Sequence, residues 1–214
     1  VRPLEGDKAN EAVMRVRVKF AKMGDLRWLA HLDLMKLVEM NVLRSCIPVS
    51  YTEGYNPRPR ISWGPPLGCG GAGRGEYFDI QLCDRMEADE VLRRFQSTDA
   101  PGLYFVEAEE VPLHGQKSLS VLAQEADYTV ELLGAGAFEG DEIRRRVAEF
   151  NASESFPIEF EKKGKIKRRD LRQAIKELAF ADDDAARPVV SATVSLIPGE
   201  FLDPGAALRR VFPE

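Results

Sequence analysis

His31, set in the segment Arg27-Trp28-Leu29-Ala30-His31-Leu32-Asp33, carries the side chain of this chain best suited to proton transfer. Imidazole titrates near neutrality, so a histidine can act as a general base. Asp33 lies only two positions further on, and on a helix it would point elsewhere and could not orient the ring. The other histidine, His114, falls in a connecting segment, so there is no two-histidine metal motif. His31 is therefore a weak catalytic candidate. The alternative for it is a partly buried histidine bonded to backbone.

The stretch from Tyr51 to Pro66 is better suited to binding than to catalysis. It holds prolines, glycines, Arg58, Arg60, Asn56, Ser62 and the rings of Tyr51, Tyr55 and Trp63. A plain connector needs only a turn residue or two. A stiff, cationic, aromatic loop loses little entropy on binding and suits anionic or planar ligands. If it is extended, Arg58 and Arg60 point the same way and can grip one phosphate or carboxylate. The rings can stack on bases, or else pack on a sheet. Further along, Lys162-Lys163-Gly164-Lys165-Ile166-Lys167-Arg168-Arg169 is the densest basic run of the chain. Lys163, Lys165, Lys167, Arg168 and Arg169 suit a polyanion track, or equally a solvated hairpin edge. The glycine-rich Gly68 to Gly75 precedes a strand rather than a helix and lacks a following lysine. It reads as a mobile hairpin loop, not a phosphate-binding loop.

Composition narrows the field. The 214 residues carry 30 basic and 35 acidic side chains, a net charge of −5, which argues against a wholesale nucleic-acid binder but leaves room for a local basic patch. Cys46, Cys69 and Cys83 are widely spaced with no C-x-x-C, so no zinc ribbon or iron–sulfur cluster is expected, and no other metal or cofactor. No transmembrane run is present, and Val1 to Ala12 reads as a flexible leader in a cytoplasmic protein. Serine-hydrolase, zinc-protease, kinase and Walker signatures are all missing.

The elements that must position these residues follow from periodicity. Met14, Val16, Val18 and Phe20 alternate with Arg15, Arg17 and Lys19, a half-buried strand with a basic outer face. His31 to Cys46 is predicted helical, with His31 on the face of Leu34, Met35, Val38 and Val42. Pro48 to Tyr51 is predicted as a short strand, Glu76 to Cys83 as a strand, Ala88 to Phe95 as a helix and Leu103 to Val111 as a strand. Leu26 to Leu29 is left between hairpin and helix. The order is the ferredoxin-like βαββαβ pattern, an α+β unit. After a connector, 113–126, a second series is predicted: strand Tyr128 to Leu133, helix Glu139 to Phe150, strand Phe156 to Lys162, helix Asp170 to Leu178, strand Val189 to Ile197 and helix Pro204 to Val211. Asp182 to Asp184 marks an exposed turn. The expected organisation is a leader at 1–12, a ferredoxin-like unit at 13–112, and a second, degenerate ferredoxin-like α+β unit at 127–214.

Three phrases carry a resemblance. They are Lys22-Met23-Gly24-Asp25-Leu26-Arg27-Trp28-Leu29-Ala30-His31-Leu32-Asp33-Leu34-Met35, Gly54-Tyr55-Asn56-Pro57-Arg58-Pro59-Arg60-Ile61-Ser62 and Gly75-Glu76-Tyr77-Phe78-Asp79-Ile80. Together they resemble the radical SAM-linked protein family, a bacterial domain of uncharacterised function found beside, or fused behind, a radical SAM protein. The likeness is strongest from Met14 to about Leu82. The chain departs from the family pattern at Ala30, where a capping serine is usual, and at Arg58 and Arg60, where histidine and lysine are common. The Gly-Val-Glu-Ser-like stretch of the family is replaced by Gly68 to Gly73. What the resemblance implies is a radical SAM partner that owns the cluster and the chemistry. This chain would be its partner or substrate-recognition module.

These readings combine into one expectation. It is an accessory module that binds RNA of the transfer or ribosomal class and presents it to a radical SAM enzyme, with a non-catalytic role favoured over an enzymatic one. The expected binding set is Arg27, His31, Asp33, Tyr51, Tyr55, Asn56, Arg58, Arg60, Ser62 and the basic run. The rivals are an RNA-cleaving or RNA-modifying enzyme with His31 as base, and a protein-only adaptor for the radical SAM partner.

Overall fold

Strand β1 (Met14–Lys22) runs through the middle of the first sheet. Its even-numbered residues Val16, Val18 and Phe20 are buried, as the alternation demands. The computed structural model describes residues 10–132, 140–162, 164–181 and 188–213. It is mixed α+β with antiparallel sheets and, among the described residues, six α-helices. The chain divides into two compact units, Val1–Leu122 and Ala123–Glu214. The leader lies mostly outside the described residues. Asn10, within the stretch expected to be flexible, is held in place: its amide donates to the Tyr51 carbonyl (2.9 Å) and accepts from the Tyr51 N–H (2.6 Å).

In the first unit β1 is followed by a 3-10 turn (Gly24–Trp28), α1 (His31–Ser45), β2 (Ile61–Trp63), β3 (Gly73–Leu82), α2 (Ala88–Gln96), β4 (Leu103–Val111) and α3 (Leu119–Leu122). The sheet order is β2-β3-β1-β4, with every neighbouring pair antiparallel. Phe78, Ile80 and Leu82 of β3 join the β1 column and Phe105, and Leu34, Val38 and Val42 of α1 and Val91 and Phe95 of α2 belong to the same core. On the opposite face Asp79 is buried between two arginines. Arg15 Nη2 donates to its Oδ2 at 2.5 Å and Arg17 Nε to its Oδ1 at 2.9 Å.

The strand expected at Pro48 to Tyr51 is corrected. Only the isolated bridges Val49↔Leu82 and Tyr51↔Pro59 form there, and the ordered partner of β3 is Ile61–Trp63, inside the supposed loop. The backbone shows why. The Ser50 N–H donates to the Gln81 carbonyl, the Arg60 N–H donates to the Ser50 carbonyl, and the Gln81 N–H donates to the Arg60 carbonyl. The chain starts along β3, makes a hairpin excursion from Ser50 to Arg60, and returns to the same edge. Pro57 and Pro59 lack the N–H that an uninterrupted ladder needs. The segment left open in the sequence, Leu26 to Leu29, is neither hairpin nor α-helix: the 3-10 turn ends at Trp28.

The second unit holds β5 (Glu125–Glu131), α4 (Gly140–Ala152), β6 (Pro157–Lys162), β7 (Lys165–Asp170), α5 (Leu171–Ala174), β8 (Ile175–Ala181), β9 (Val189–Ser195) and α6 (Pro204–Val211). A three-stranded sheet, β5-β9-β8, and a separate hairpin, β6-β7, make up its β structure among the described residues. Ile143, Val147 and Phe150 of α4 and Leu208 and Val211 of α6 share a core with Ile175, Leu178, Val190 and Val194. Asp203 caps α6 by accepting from the Ala206 N–H at 2.8 Å, and Pro204 opens the helix.

The helix expected at Asp170 to Leu178 is a second correction. One turn, α5, gives way to strand β8. Asp170 fixes the turn by accepting from the Phe156 and Arg172 N–H groups and the Ser155 hydroxyl. The β-branched run of β9 then takes Ile175 to Ala181 as its ladder partner, and pairing overrides helix propensity. The turn expected at Asp182 to Asp184 lies outside the described residues. No helix among the described residues is long and apolar enough to cross a membrane.

Candidate functional site

The buried columns of β1 and β3 change character at one end of the sheet. After Val16, Val18 and Phe20, the next inward position of β1 is Lys22. After Leu82, Ile80 and Phe78, the next inward position of β3 is Glu76. The antiparallel register brings these positions together, pairing Phe20 with Glu76 and Lys22 with Gly73. An ionisable pair thus replaces the apolar core. His31, the first residue of α1, and Trp63, the last of β2, meet edge to face at the same end (centroids 5.8 Å apart).

Lys22 is fully buried, and its ammonium donates to the Leu29 carbonyl at 2.9 Å. Burial lowers its pKa, opposed by attraction from Cys69 and Glu76. Burial pushes the Glu76 carboxyl up to about 7 against the pull of Lys22. His31 is shifted down, first by burial and then by the Lys22 charge. The Glu76 carboxyl and the His31 ring nitrogens have no hydrogen-bond partner among the described residues.

Two segments wall this end. The glycine-rich loop lies on the 3-10 turn: the Cys69 thiol donates to the Trp28 carbonyl (3.0 Å) and the Gly70 N–H to the Arg27 carbonyl (2.7 Å). Gly70 has φ +91°, and a β-carbon there would stand 3.2 Å from the Trp28 ring. At Gly73 a β-carbon would meet Glu76 Oε1 at 2.7 Å, so the bare backbone leaves the carboxyl its place. Trp28 is 59% exposed, with the Arg27 guanidinium 4.9 Å from its ring centroid. Trp63 instead packs on Phe78 and Phe20.

The arrangement offers a carboxyl poised to exchange a proton near neutral pH, a buried cation behind it, an open imidazole and an exposed aromatic platform. Among the described residues no group of three or more His, Cys, Asp or Glu side chains could hold a metal ion.

The expected binding residues are only partly gathered here. Arg27 and His31 belong to this end of the unit. Asp33 is exposed and paired with Lys36 (3.1 Å). Arg58 and Arg60 do not converge: Arg58 reaches Glu39 of α1 at 2.7 and 3.0 Å, while Arg60 Nε donates to the Tyr51 carbonyl at 2.9 Å. Tyr51 is half-buried against the core, Tyr55 and Asn56 are exposed at the tip of the excursion, and Ser62 sits in β2 opposite Asp79. The basic run forms the β6-β7 hairpin. Lys167 is exposed, Arg168 pairs with Glu159 (2.6 Å), and Arg169 donates to the Phe201 carbonyl (3.0 Å). Lys163 lies outside the described residues, and Lys165 is described by its backbone alone.

Sequence reasoning passed over Lys22, Cys69 and Glu76. A signal was present. Extending each period-two column by one position puts a lysine and a glutamate on the buried face.

The chain matches a family described as an uncharacterised protein conserved in bacteria (DUF2344), over residues 15–204. It belongs to that family. Among the curated proteins none matches the chain. The DUF2344 match spans all of Lys22, His31, Cys69 and Glu76 and runs through the described part of the second unit as far as Pro204.

Proposed function

We propose that this chain is a cytoplasmic, non-catalytic accessory module that binds RNA of the transfer or ribosomal class and presents it to a radical SAM enzyme. The observation that carries the RNA reading is the exposed Trp28 ring with Arg27 held over it at 4.9 Å. An aromatic face beside a guanidinium is what an unpaired base and its phosphate require. The fully exposed Tyr55 adds a second ring. The radical SAM partner rests on the motif resemblance from Lys22 to Ile80.

The strand orders support a ferredoxin-like reading of both units. The first has the order β4-β1-β3-β2 of a split βαβ fold. Without its hairpin and α5, the second runs β5-α4-β8-β9-α6 with the order β5-β9-β8, the same plan lacking a fourth strand.

The test is binding of purified protein to total bacterial RNA across a salt series. Trp28→Ala should weaken binding about tenfold, the worth of one stacked base. Absence of binding at low salt would sink the RNA reading and leave the protein-only adaptor. An enzymatic reading is favoured by one observation, that the Glu76 carboxyl and the His31 ring nitrogens, near Lys22, have no hydrogen-bond partner among the described residues. It predicts RNA cleavage or modification by the isolated protein, lost in His31→Ala.

A further inference from the structure

The outer side of α1 is apolar where a surface helix is ordinarily polar. Leu32, Met40 and Leu43 are 68%, 45% and 50% exposed. Leu32, Lys36 and Met40 follow at i, i+4 spacing, and Leu43 comes one turn later, so the four form one line along the helix. The line lies opposite Leu34, Val38 and Val42, which α1 turns into the core. Single exposed apolar side chains are ordinary, but a row of them along a helix marks a contact surface. Charge is ordered along the same side. Asp33 stands in the first turn and Arg44 in the last, both exposed. They are separated by about three helical turns and so share one flank of the line. The ion pair of Asp33 with Lys36 (3.1 Å) is exposed, and such pairs hold weakly.

We propose that this line docks on its own counterpart in a second copy of the chain, α1 against α1, antiparallel about a two-fold axis near Val38. That axis brings Leu32 of each copy against Leu43 of the other, the Lys36 stem against Met40, and Asp33 against Arg44. Antiparallel packing about such an axis sets like flank beside like flank, so the flank shared by Asp33 and Arg44 is what lets them meet. The helix dipoles are opposed in this arrangement. Parallel packing would set Asp33 on Asp33 and Arg44 on Arg44, and align the dipoles. The face is complementary to itself in shape of charge as well as in apolarity, which selects a second copy as its occupant. The inference is independent of the RNA reading.

The test is sedimentation equilibrium of the whole chain. A contact along one helix face is smaller than a standard interface, so the expected result is a dimer with a Kd on the order of 10 μM. Leu43→Glu should weaken it at least about tenfold, since two carboxylates would then enter the apolar line. Asp33→Arg and Arg44→Asp should each weaken the dimer, and the double variant Asp33→Arg/Arg44→Asp should regain it, because the exchanged charges meet again only in the antiparallel arrangement. All these positions are exposed, and circular dichroism checks that α1 stays helical. A parent chain that remains monomeric up to about 500 μM overturns the proposal. A dimer that Leu43→Glu leaves intact uses another face and also overturns it. A double variant as weak as the two single ones overturns the antiparallel pairing.

Discussion

Glu76 and Asp79 are two carboxylates three residues apart on one strand, and their surroundings give them opposite characters. Asp79 sits between Arg15 and Arg17, so removing it leaves two cations in a buried setting. Asp79→Ala should cost about 3–5 kcal/mol of unfolding free energy, measured by chemical denaturation. A loss below about 1 kcal/mol would mean the arginines reach water. Glu76 has no hydrogen-bonded cation among the described residues, and burial outweighs the pull of Lys22 and raises its carboxyl from near 4.5 to about 7. Its folded form therefore holds a proton that the unfolded form releases, and stability falls as pH rises from about 4.5 to about 7. Glu76→Gln should be more stable than the parent by about 1–3 kcal/mol at pH 8, with the gap closing below pH 4.5. Parallel stability–pH curves for the two proteins would contradict this.

At the level of elements, the turn before β4 packs against the 3-10 turn that carries Trp28. Gly102 has φ +90°, and its carbonyl accepts from the Met23 N–H at 2.7 Å. A β-carbon there would stand 2.6 Å from the Met23 carbonyl oxygen and 3.0 Å from Leu26 Cγ. Gly102→Ala should cost about 1–3 kcal/mol and shift the Trp28 emission, because the 3-10 turn must move. An unchanged spectrum and melting point would show that the turn is not clamped. The elements differ in how far they could be read. β1 and α1 were legible because a strand of period two and a helix of period 3.6 write their buried face into the chain. The Ser50 to Arg60 excursion was not, since its closure depends on backbone bonds shared with Gln81, which is distant in sequence. Nor was β8, whose helical character in isolation yields to β9.

For the whole molecule, the net charge of −5 limits how RNA can be held. Arg58, Arg168 and Lys19 already face Glu39, Glu159 and Glu107. With these cations engaged, the plot of log affinity against log salt should have a slope of about −2 to −4, with Arg58→Ala/Arg60→Ala changing it by about one. A slope near −10 would require a continuous basic track and would contradict this.

The sequence by itself determined the two α+β series, the apolar columns of β1, β3 and α1, and the places where cations and rings are dense. These are properties of neighbours along the chain, and local periodicity records them. The tertiary structure alone decided that Lys22 and Glu76 lie close together beside the glycine loop, that Arg58 and Arg60 part company, and that the basic run forms a hairpin in which Arg168 pairs with Glu159. Each of these depends on which residues distant in sequence come together. Register, burial and the loss of water then turn an ordinary glutamate into a group that exchanges its proton near neutral pH.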